Sequence, residues 1–193
     1  AAWGSWRREY PEIGCGLKRG FTFYGHAPGR PFAARADRAD QLLVAASPYD
    51  EVADTHWYRA DFDQFLQHEA QESGAEYTDH TAIESVSFGP GVAELETVRG
   101  GRRLVRRARL MVDASGPGGA LHRALGLGAA GFPNLPETEG LYTHLADVSR
   151  IDEMGLLASA ERPPYRPDDA ALHHVFPGGW IWILRFGNGV TSA

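Results

Sequence analysis

Residues 173–190 read HHVFPGGWIWILRFGNGV, and this stretch decides the fold of the last third of the chain. Its tryptophans and isoleucines alternate over 180–183, and its composition is typical of β-strands. We therefore predict strands of an antiparallel layer. Trp180 and Trp182 fall on one face of a strand, with Ile181 and Ile183 on the other. The tryptophan pair either packs in a core or lines a binding surface, since aromatic residues at alternate positions are common in strands.

Other short strands are predicted on both sides of this stretch. Residues 18–24 and 41–46 have the composition of strands, and a loop rich in Pro, Gly and Arg separates them over 27–40. This arrangement predicts a hairpin with a long connection. LYTHLADV, at 141–148, predicts a further strand of the antiparallel layer. It follows a segment over 128–140 in which Gly, Ala and Pro cluster.

The strongest helical pattern covers residues 61–73, DFDQFLQHEAQES. Asp61 can cap this helix, and Gly74 follows its end. Its apolar residues share one face at helical spacing: Phe62, Phe65, Leu66 and Ala70. Three segments with period-two alternation come next, GAEYTDH at 74–80, TAIESVSF at 81–88 and VAELETV at 92–98. They predict antiparallel strands.

RARLMVDASG, at 107–116, carries the strongest local signal for a binding site. Its apolar run over 110–112 predicts a strand buried on both faces, as in a parallel sheet. Asp113 then stands at the strand end, where open α/β sheets bind ligands, and Gly116 lets the backbone approach one closely. A helix predicted over 118–127, starting near Gly118, would offer unpaired N–H groups. The alternative is an ordinary strand-to-helix turn.

Composition narrows the classes of function. The formal charge is −6, which argues against a nucleic-acid or anionic-membrane surface. The basic run over 102–107 is most simply the solvated face of a hairpin. Cys15 is the one cysteine, so no intrachain disulfide can form, and a reducing, cytoplasmic location is expected. No apolar run approaches the length of a membrane helix.

Three segments together carry a family resemblance: HWYRADFDQFLQHEAQESGAEY, MVDASGPGGALHRALGL and HHVFPGGWIWILRFGNGVTSA. They resemble the FAD-dependent monooxygenase superfamily, and most closely its flavin-dependent, tryptophan-halogenase-like branch. The resemblance implies a mixed α/β fold, in which part of a glutathione-reductase-type FAD-binding domain carries an antiparallel substrate layer. We expect the first substrate-layer strands over 1–50, the FAD-binding part over 51–127 and the substrate sheet over 128–193.

The resemblance also implies roles for particular residues. Arg59, in RADFD, is similar to the arginine that contacts the FAD phosphates, and Ile83 occupies the place where the backbone meets the adenine. Asp113 and Gly116 match the second flavin-contacting motif. The GxGxxG fingerprint and the later Gly-Asp motif are absent. We therefore expect the chain to be an internal piece of a longer protein, inactive by itself.

Lys18, in GCGLKRGFTF, is the catalytic candidate. In the family, reduced FAD and O2 oxidise halide to hypohalous acid, and a lysine directs this oxidant onto an electron-rich aromatic ring. A desolvated lysine amine can act as a nucleophile or as a hydrogen-bond donor, whereas Arg19 stays protonated and is expected to face away. Trp180 and Trp182 would line the substrate pocket, as in the family's Trp-x-Trp-x-Ile-Pro signature.

Two departures and several alternatives stay open. Leu184 replaces the signature's Ile, and Arg185 replaces its Pro. The alternatives to a halogenase are a hydroxylating flavin monooxygenase, a reductase resembling the geranylgeranyl reductases, and a fragment that binds a hydrophobic ligand without catalysis. The substrate is expected to be an aromatic or hydrophobic small molecule, with a flavin reductase as a partner. The histidines lack metal-ligand spacing, and His173 and His174 point to opposite faces of a strand, so no metal site is expected.

Overall fold

A computed structural model describes residues 2–116, 119–128, 131, 133–157 and 163–193. The helices are α1 (Trp3–Glu9), α2 (Arg59–Glu72) and α3 (Ala120–Ala124). The strands are β1 (Cys15–Lys18), β2 (Gly20–Gly25), β3 (Gln41–Ala45), β4 (Asp54–Trp57), β5 (Ala82–Gly89), β6 (Val92–Arg99), β7 (Arg102–Ala108), β8 (His144–Leu145), β9 (Ala171–Phe176), β10 (Gly179–Arg185) and β11 (Thr191–Ser192). The mixed α/β class expected from the sequence is confirmed.

The chain forms two compact units. The first comprises Ala1–Ser73 and Gly140–Ala193, and the second comprises Gly74–Glu139. The domain boundaries expected from the sequence concern a longer protein, and they stay an expectation. None of the helices in the described ranges combines the length and the apolar composition that crossing a membrane requires.

A six-stranded sheet dominates the first unit, in the order β3-β2-β9-β10-β11-β8. The β9–β10 hairpin and the β2–β3 hairpin are both antiparallel, as predicted. The β2–β9 pair is parallel and joins the two hairpins into one sheet. Residues predicted as strands from the two ends of the chain therefore lie side by side.

One face of this sheet packs against a core, and the two tryptophans of β10 lie on the other face. Tyr24 and Leu172 are completely buried on the core face, where Ile151, Phe32 and Ile183 pack against them. Each such apolar side chain contributes roughly 1.5–3 kcal/mol by its removal from water. The burial of Ile183 leaves Trp180 and Trp182 on the opposite face, as the alternation predicted.

Helix α2 packs against a smaller aromatic cluster. Phe62 and Phe65 contact Trp6 of α1 with ring centroids 5.7 and 5.6 Å apart. The helix begins at Arg59, so the prediction of Asp61 as its cap is wrong. The Asp61 carboxylate instead accepts a hydrogen bond from the Gly14 backbone N–H at 2.9 Å. That bond ties α2 to the segment before β1.

The second unit contains the antiparallel meander β5-β6-β7. Its basic strand β7 is a solvated hairpin face, as expected: Arg103 pairs with Glu96 and Arg107 with Glu94 across the strands. These are exposed pairs that contribute little stability individually.

Three local predictions in the second unit are wrong. Residues 74–80 form no strand, and α3 is shorter than the predicted helix over 118–127, whose expected start at Gly118 lies outside the described residues. The apolar run over 110–112 lies after β7, with Leu110 79% exposed and Val112 80% exposed. Within the described ranges no strand pairs with this run, so its apolar sequence does not produce burial.

Candidate functional site

Lys18 is the last residue of β1, and it lies directly opposite Asp54 of β4 in the antiparallel ladder. Its Nζ atom donates a hydrogen bond to Asp54 Oδ2 at 2.8 Å. The same nitrogen lies 4.9 Å from the centre of the Phe21 ring. The Lys18 side chain is only 21% exposed, so its ammonium is held at a defined place instead of extending into solvent.

The glycines around Lys18 are explained by close backbone approach. A Cβ atom at Gly16 would lie 1.8 Å from the carbonyl oxygen of Arg185, and one at Gly20 would lie 2.1 Å from that of Val44. The Gly187 N–H also donates to the Cys15 carbonyl at 2.8 Å. The strand that carries Lys18 is therefore fixed against the end of β10, and only glycine fits at the contact.

Arg19 serves a different purpose from its neighbour. Its guanidinium is buried and binds the Asp50 carboxylate at 2.5 Å and the Pro48 carbonyl at 2.8 Å. These bonds hold the loop before β4. Arg19 is consequently a structural residue, in agreement with its exclusion as a catalytic candidate.

An aromatic face extends from Lys18 across the sheet. Phe21 and Phe23 have ring centroids 6.5 Å apart, and Phe23 stacks on His173 at 4.4 Å. His173 in turn stacks on Trp182 at 5.5 Å with an interplanar angle of 15°. Trp180, one step along the same face, is 57% exposed, and Trp182 is 44% exposed. We call these five residues the aromatic face; it offers open ring surface to a planar ligand.

Arg185, the departure from the family signature, points to the other side of the sheet. Its Nε donates to Asp168 Oδ1 at 2.7 Å, and its terminal nitrogens donate to the carbonyls of Val148 and Ser149, both at 2.6 Å. The Asp168 side chain is completely buried. Arg185 therefore links the end of β10 to two loops, and its guanidinium binds groups on the side of the sheet opposite the aromatic face.

His56 lies on β4 opposite Gly16, two residues from Asp54. It is buried, and its pKa is lowered to about 4, mainly by burial and in smaller part by the charge of Lys18. Its Nε2 atom has no hydrogen-bond partner within the described residues. His56 is therefore neutral near pH 7 and adds no charge beside Lys18. In contrast, the hydrogen bond from Lys18 lowers the pKa of the Asp54 carboxyl.

Arg59 stands at the first position of α2, with its guanidinium on the surface. It forms a bidentate pair with Asp63 one turn later, at 2.6 and 2.9 Å, and its side chain is 76% exposed. Tyr58, before it, gives the helix no side-chain cap. An exposed ion pair of this kind contributes little stability.

The remaining candidates lie in the second unit. Ile83 lines a pocket of about 300 Å³ between β5 and α3. Asp113 accepts hydrogen bonds from the N–H groups of Ser115 at 3.0 Å and Leu121 at 2.8 Å, and the Ser115 hydroxyl and these N–H groups lower its pKa. Gly116 has a φ of +82°, a conformation that favours glycine. Asp113 thus organises the turn that leads into α3.

The sequence predictions missed two residues in contact with Lys18. Asp54 accepts its hydrogen bond, the Phe21 ring lies 4.9 Å from its ammonium, and each of the two lies in a short strand. One signal was available, because Lys18 is the only lysine among the 19 Lys and Arg residues of the chain. A chain that otherwise uses arginine throughout keeps one lysine at this position.

Comparisons with known proteins define the class of the fold. No family model matches the chain. Over 93% of its length it superposes on 35% of halogenase PltM, solved with phloroglucinol and FAD, with a TM-score of 0.72 and 27% identity. It also shares the fold of CmlS, a flavin-dependent halogenase, with a TM-score of 0.57. The fold is that of FAD-binding halogenases.

Sequence relatives lead to the same group. The chain is 33% identical over 139 residues to tetracycline 7-halogenase of Kitasatospora aureofaciens, covering 71% of this chain and 24% of the relative. It is 26% identical over 185 residues to monodechloroaminopyrrolnitrin halogenase PrnC of Pseudomonas fluorescens, covering 96% of this chain and 31% of the relative. The chain thus spans about a quarter to a third of these proteins. It is a homologue of the flavin-dependent halogenases.

Proposed function

We propose that the protein containing this chain is an FAD-dependent oxidoreductase that halogenates an aromatic small molecule. The observation that carries the proposal is the position of the single lysine, whose ammonium lies at the edge of an exposed aromatic face. The homology to halogenases supports the same reaction. Arg185 does not oppose it, because its guanidinium is bound to Asp168 and two backbone carbonyls.

The resemblance implies FAD contacts for Arg59 in the first unit and, separately, for Ile83, Asp113 and Gly116 in the second unit. Arg59 has an exposed guanidinium that can leave its weak pair with Asp63 for a phosphate, which it would bind bidentately. Ile83 lines a pocket in the second unit, and Gly116 permits the backbone of the Asp113 turn to approach a ligand. When bound, reduced FAD would supply the electrons for FADH2 + O2 + X⁻ + H⁺ → FAD + HOX + H2O.

The chain's own residues would act on the hypohalous acid and the substrate. The halogenation is ArH + HOX → ArX + H2O: the O–X bond breaks, the ring carbon gains X, and its proton completes the water. Lys18 would donate a hydrogen bond to the oxygen of the oxidant and stabilise the charge that develops there. Phe23, Trp180 and Trp182 would hold the flat substrate by stacking.

We further propose a source of reduced flavin, a cellular location and a substrate class for the enzyme. Reduced flavin would come from a partner flavin reductase or directly from NAD(P)H. A cytoplasmic location agrees with the single, buried Cys15. The substrate would be an electron-rich aromatic molecule, since the surface beside Lys18 is aromatic.

The direct test supplies the intact protein with FAD, NAD(P)H, a flavin reductase, chloride or bromide, and a panel of phenols, indoles and pyrroles. We expect a halogenated product, recognised by its isotope pattern in mass spectrometry. A hydroxylated product without halogen would replace this proposal with a flavin monooxygenase. Reduction of an alkene substrate without oxygen uptake would indicate a reductase, and no flavin turnover with FAD bound would indicate a binding protein.

A further inference from the structure

The Asp54 carboxylate is oriented by the backbone and binds the Lys18 ammonium. Its Oδ1 atom accepts the backbone N–H of Thr55 at 2.9 Å, while its Oδ2 atom accepts the Lys18 ammonium at 2.8 Å. Because Asp54 and Lys18 are directly opposite in the ladder, their Cβ atoms are close regardless of side-chain rotamer. The contact is therefore part of the strand register and not a chance meeting of two long side chains.

The geometry leaves the ammonium available to a third group. An ammonium has three N–H donors, and among the described residues Asp54 is its hydrogen-bond acceptor. The Phe21 ring, at 4.9 Å, adds a cation–π contact. One carboxylate and one ring fix the nitrogen from two sides, and a donor remains for a ligand on the aromatic face.

The charges around the ammonium are simple. Asp54 is the acidic group in contact with it, and its pKa is lowered by that contact, so it is ionised near pH 7. The other titratable group nearby, His56, is buried and neutral because its pKa is lowered to about 4. Among the described residues, the pair is one anion and one cation in direct contact.

We infer that Asp54 is the positioning residue for Lys18: it holds the ammonium beside Phe21, so that an N–H is directed to hypohalous acid bound at the aromatic face. This inference rests on the proposed function. Asp54 does not touch the oxidant or the substrate and acts through Lys18. Its loss leaves the oxidant formed but poorly directed, so that hypohalous acid escapes from the aromatic face and transfers its halogen to other acceptors instead of to the substrate ring.

The test compares Asp54→Asn with Asp54→Glu, which keeps a carboxylate, in the intact protein. Asp37→Asn is the matched control, because it breaks an exposed pair with Arg35 that lies outside the site. One readout needs no halogenation: the rate at which an amine-reactive acetyl ester labels Lys18, followed by peptide mass spectrometry. Release of the Lys18 nitrogen from the Asp54 carboxylate makes it more accessible to the ester, so the labelling should become about threefold faster or more.

The second readout is the fraction of hypohalous acid that reaches the aromatic product instead of an added diketone trap. We expect Asp54→Asn to lower this fraction about tenfold, Asp54→Glu to restore most of it, and Asp37→Asn to change neither readout. Flavin reoxidation should stay at the wild-type rate in all three variants. A purely structural role would lower flavin turnover together with product and would not accelerate the labelling.

The outcomes separate the two proposals. If the wild type halogenates and Asp54→Asn does so with the same product fraction, the inference is overturned while the proposed function stands. Unchanged labelling of Lys18 in Asp54→Asn also overturns it, because the carboxylate then does not hold the amine. If the wild-type protein forms no hypohalous acid at all, the proposed function is overturned. The proposed role of Asp54 in positioning Lys18 for halogenation is then overturned as well.

Discussion

The close contact at Gly16 gives the sharpest stability prediction. Substitution to alanine would place a Cβ atom 1.8 Å from the Arg185 carbonyl oxygen. Real Cβ atoms keep about 3.0 Å from such atoms, so β1 and the end of β10 must separate by more than 1 Å. The obstacle is backbone, and it cannot rotate away as a flexible side chain would.

The cost follows from this displacement. Overpacking of a well-packed site costs about 1–3 kcal/mol, and Gly16→Ala should lie at the upper end because the Cβ atom is fixed to one strand and the carbonyl it meets is the main chain of another. We expect the free energy of unfolding to fall by about 2–3 kcal/mol in urea titrations. For a chain of this size that corresponds to a fall of roughly 4–12 °C in Tm.

Gly25→Ala provides the matched control. Gly25 lies at the end of β2, and a Cβ atom there would meet its nearest neighbour at 3.6 Å, an ordinary contact. This variant should stay within about 0.5 kcal/mol of wild type, or gain slightly, since alanine restricts the unfolded chain. Equal stability of Gly16→Ala and wild type would refute the conclusion that glycine is required to fix the lysine strand.

Three further predictions concern charged residues. Lys18→Met should raise the pKa of the Asp54 carboxyl towards 3.8, as measured by NMR titration. Because this pKa is lowered in the folded wild type, the ion pair stabilises the fold at pH values above 3.8. The stabilisation is lost as the pH falls through the lowered pKa of the folded state. The pKa of His56 is lowered from 6.5 to about 4 in the folded state, so wild type should lose stability as the pH falls from 6.5 to 4, by up to about 1.4 kcal/mol per pH unit. His56→Gln should reduce this dependence of the unfolding free energy on pH. Equal pH dependence in the two proteins would argue against a buried neutral imidazole. Arg185→Met should lower the free energy of unfolding by about 3–5 kcal/mol in denaturant titrations, because it leaves the buried Asp168 carboxylate without its cation. Combining Arg185→Met with Asp168→Asn should recover part of this loss. An Arg185→Met variant as stable as wild type would contradict the prediction.

The strands that sequence could predict are those whose pairing is local. The β9–β10 hairpin has strand-like segments on both sides of Pro177 and Gly178, and Trp and Ile alternate over 180–183, so the opposite faces of Trp182 and Ile183 follow from the sequence. The apolar run over 110–112 shows the limit of the same reasoning. Apolar residues indicate burial only where a neighbouring strand covers them, and no sequence pattern tells whether one does.

The surroundings of Lys18 could be predicted only in part. The lysine itself stands out by its chemistry, and Arg19 is excluded by its own. Asp54 is 36 residues away on a strand of four residues, which is too short for its alternation to be recognised. Arg185 departs from the signature, and its tertiary bonds to Asp168 and two loop carbonyls show what it does. The contacts of Lys18 and Arg185 thus depend on residues distant in sequence, which a local sequence pattern does not reveal.

The measurement that tests the central claim most directly is the fate of oxidised halide in Lys18→Ala and wild type, each supplied with reduced flavin, halide and an aromatic substrate. We predict that wild type delivers the halogen to the ring. Lys18→Ala should bind FAD and turn it over normally, lose product about 100-fold to 1,000-fold, and release its hypohalous acid to a trap. Undiminished halogenation by Lys18→Ala would contradict the account.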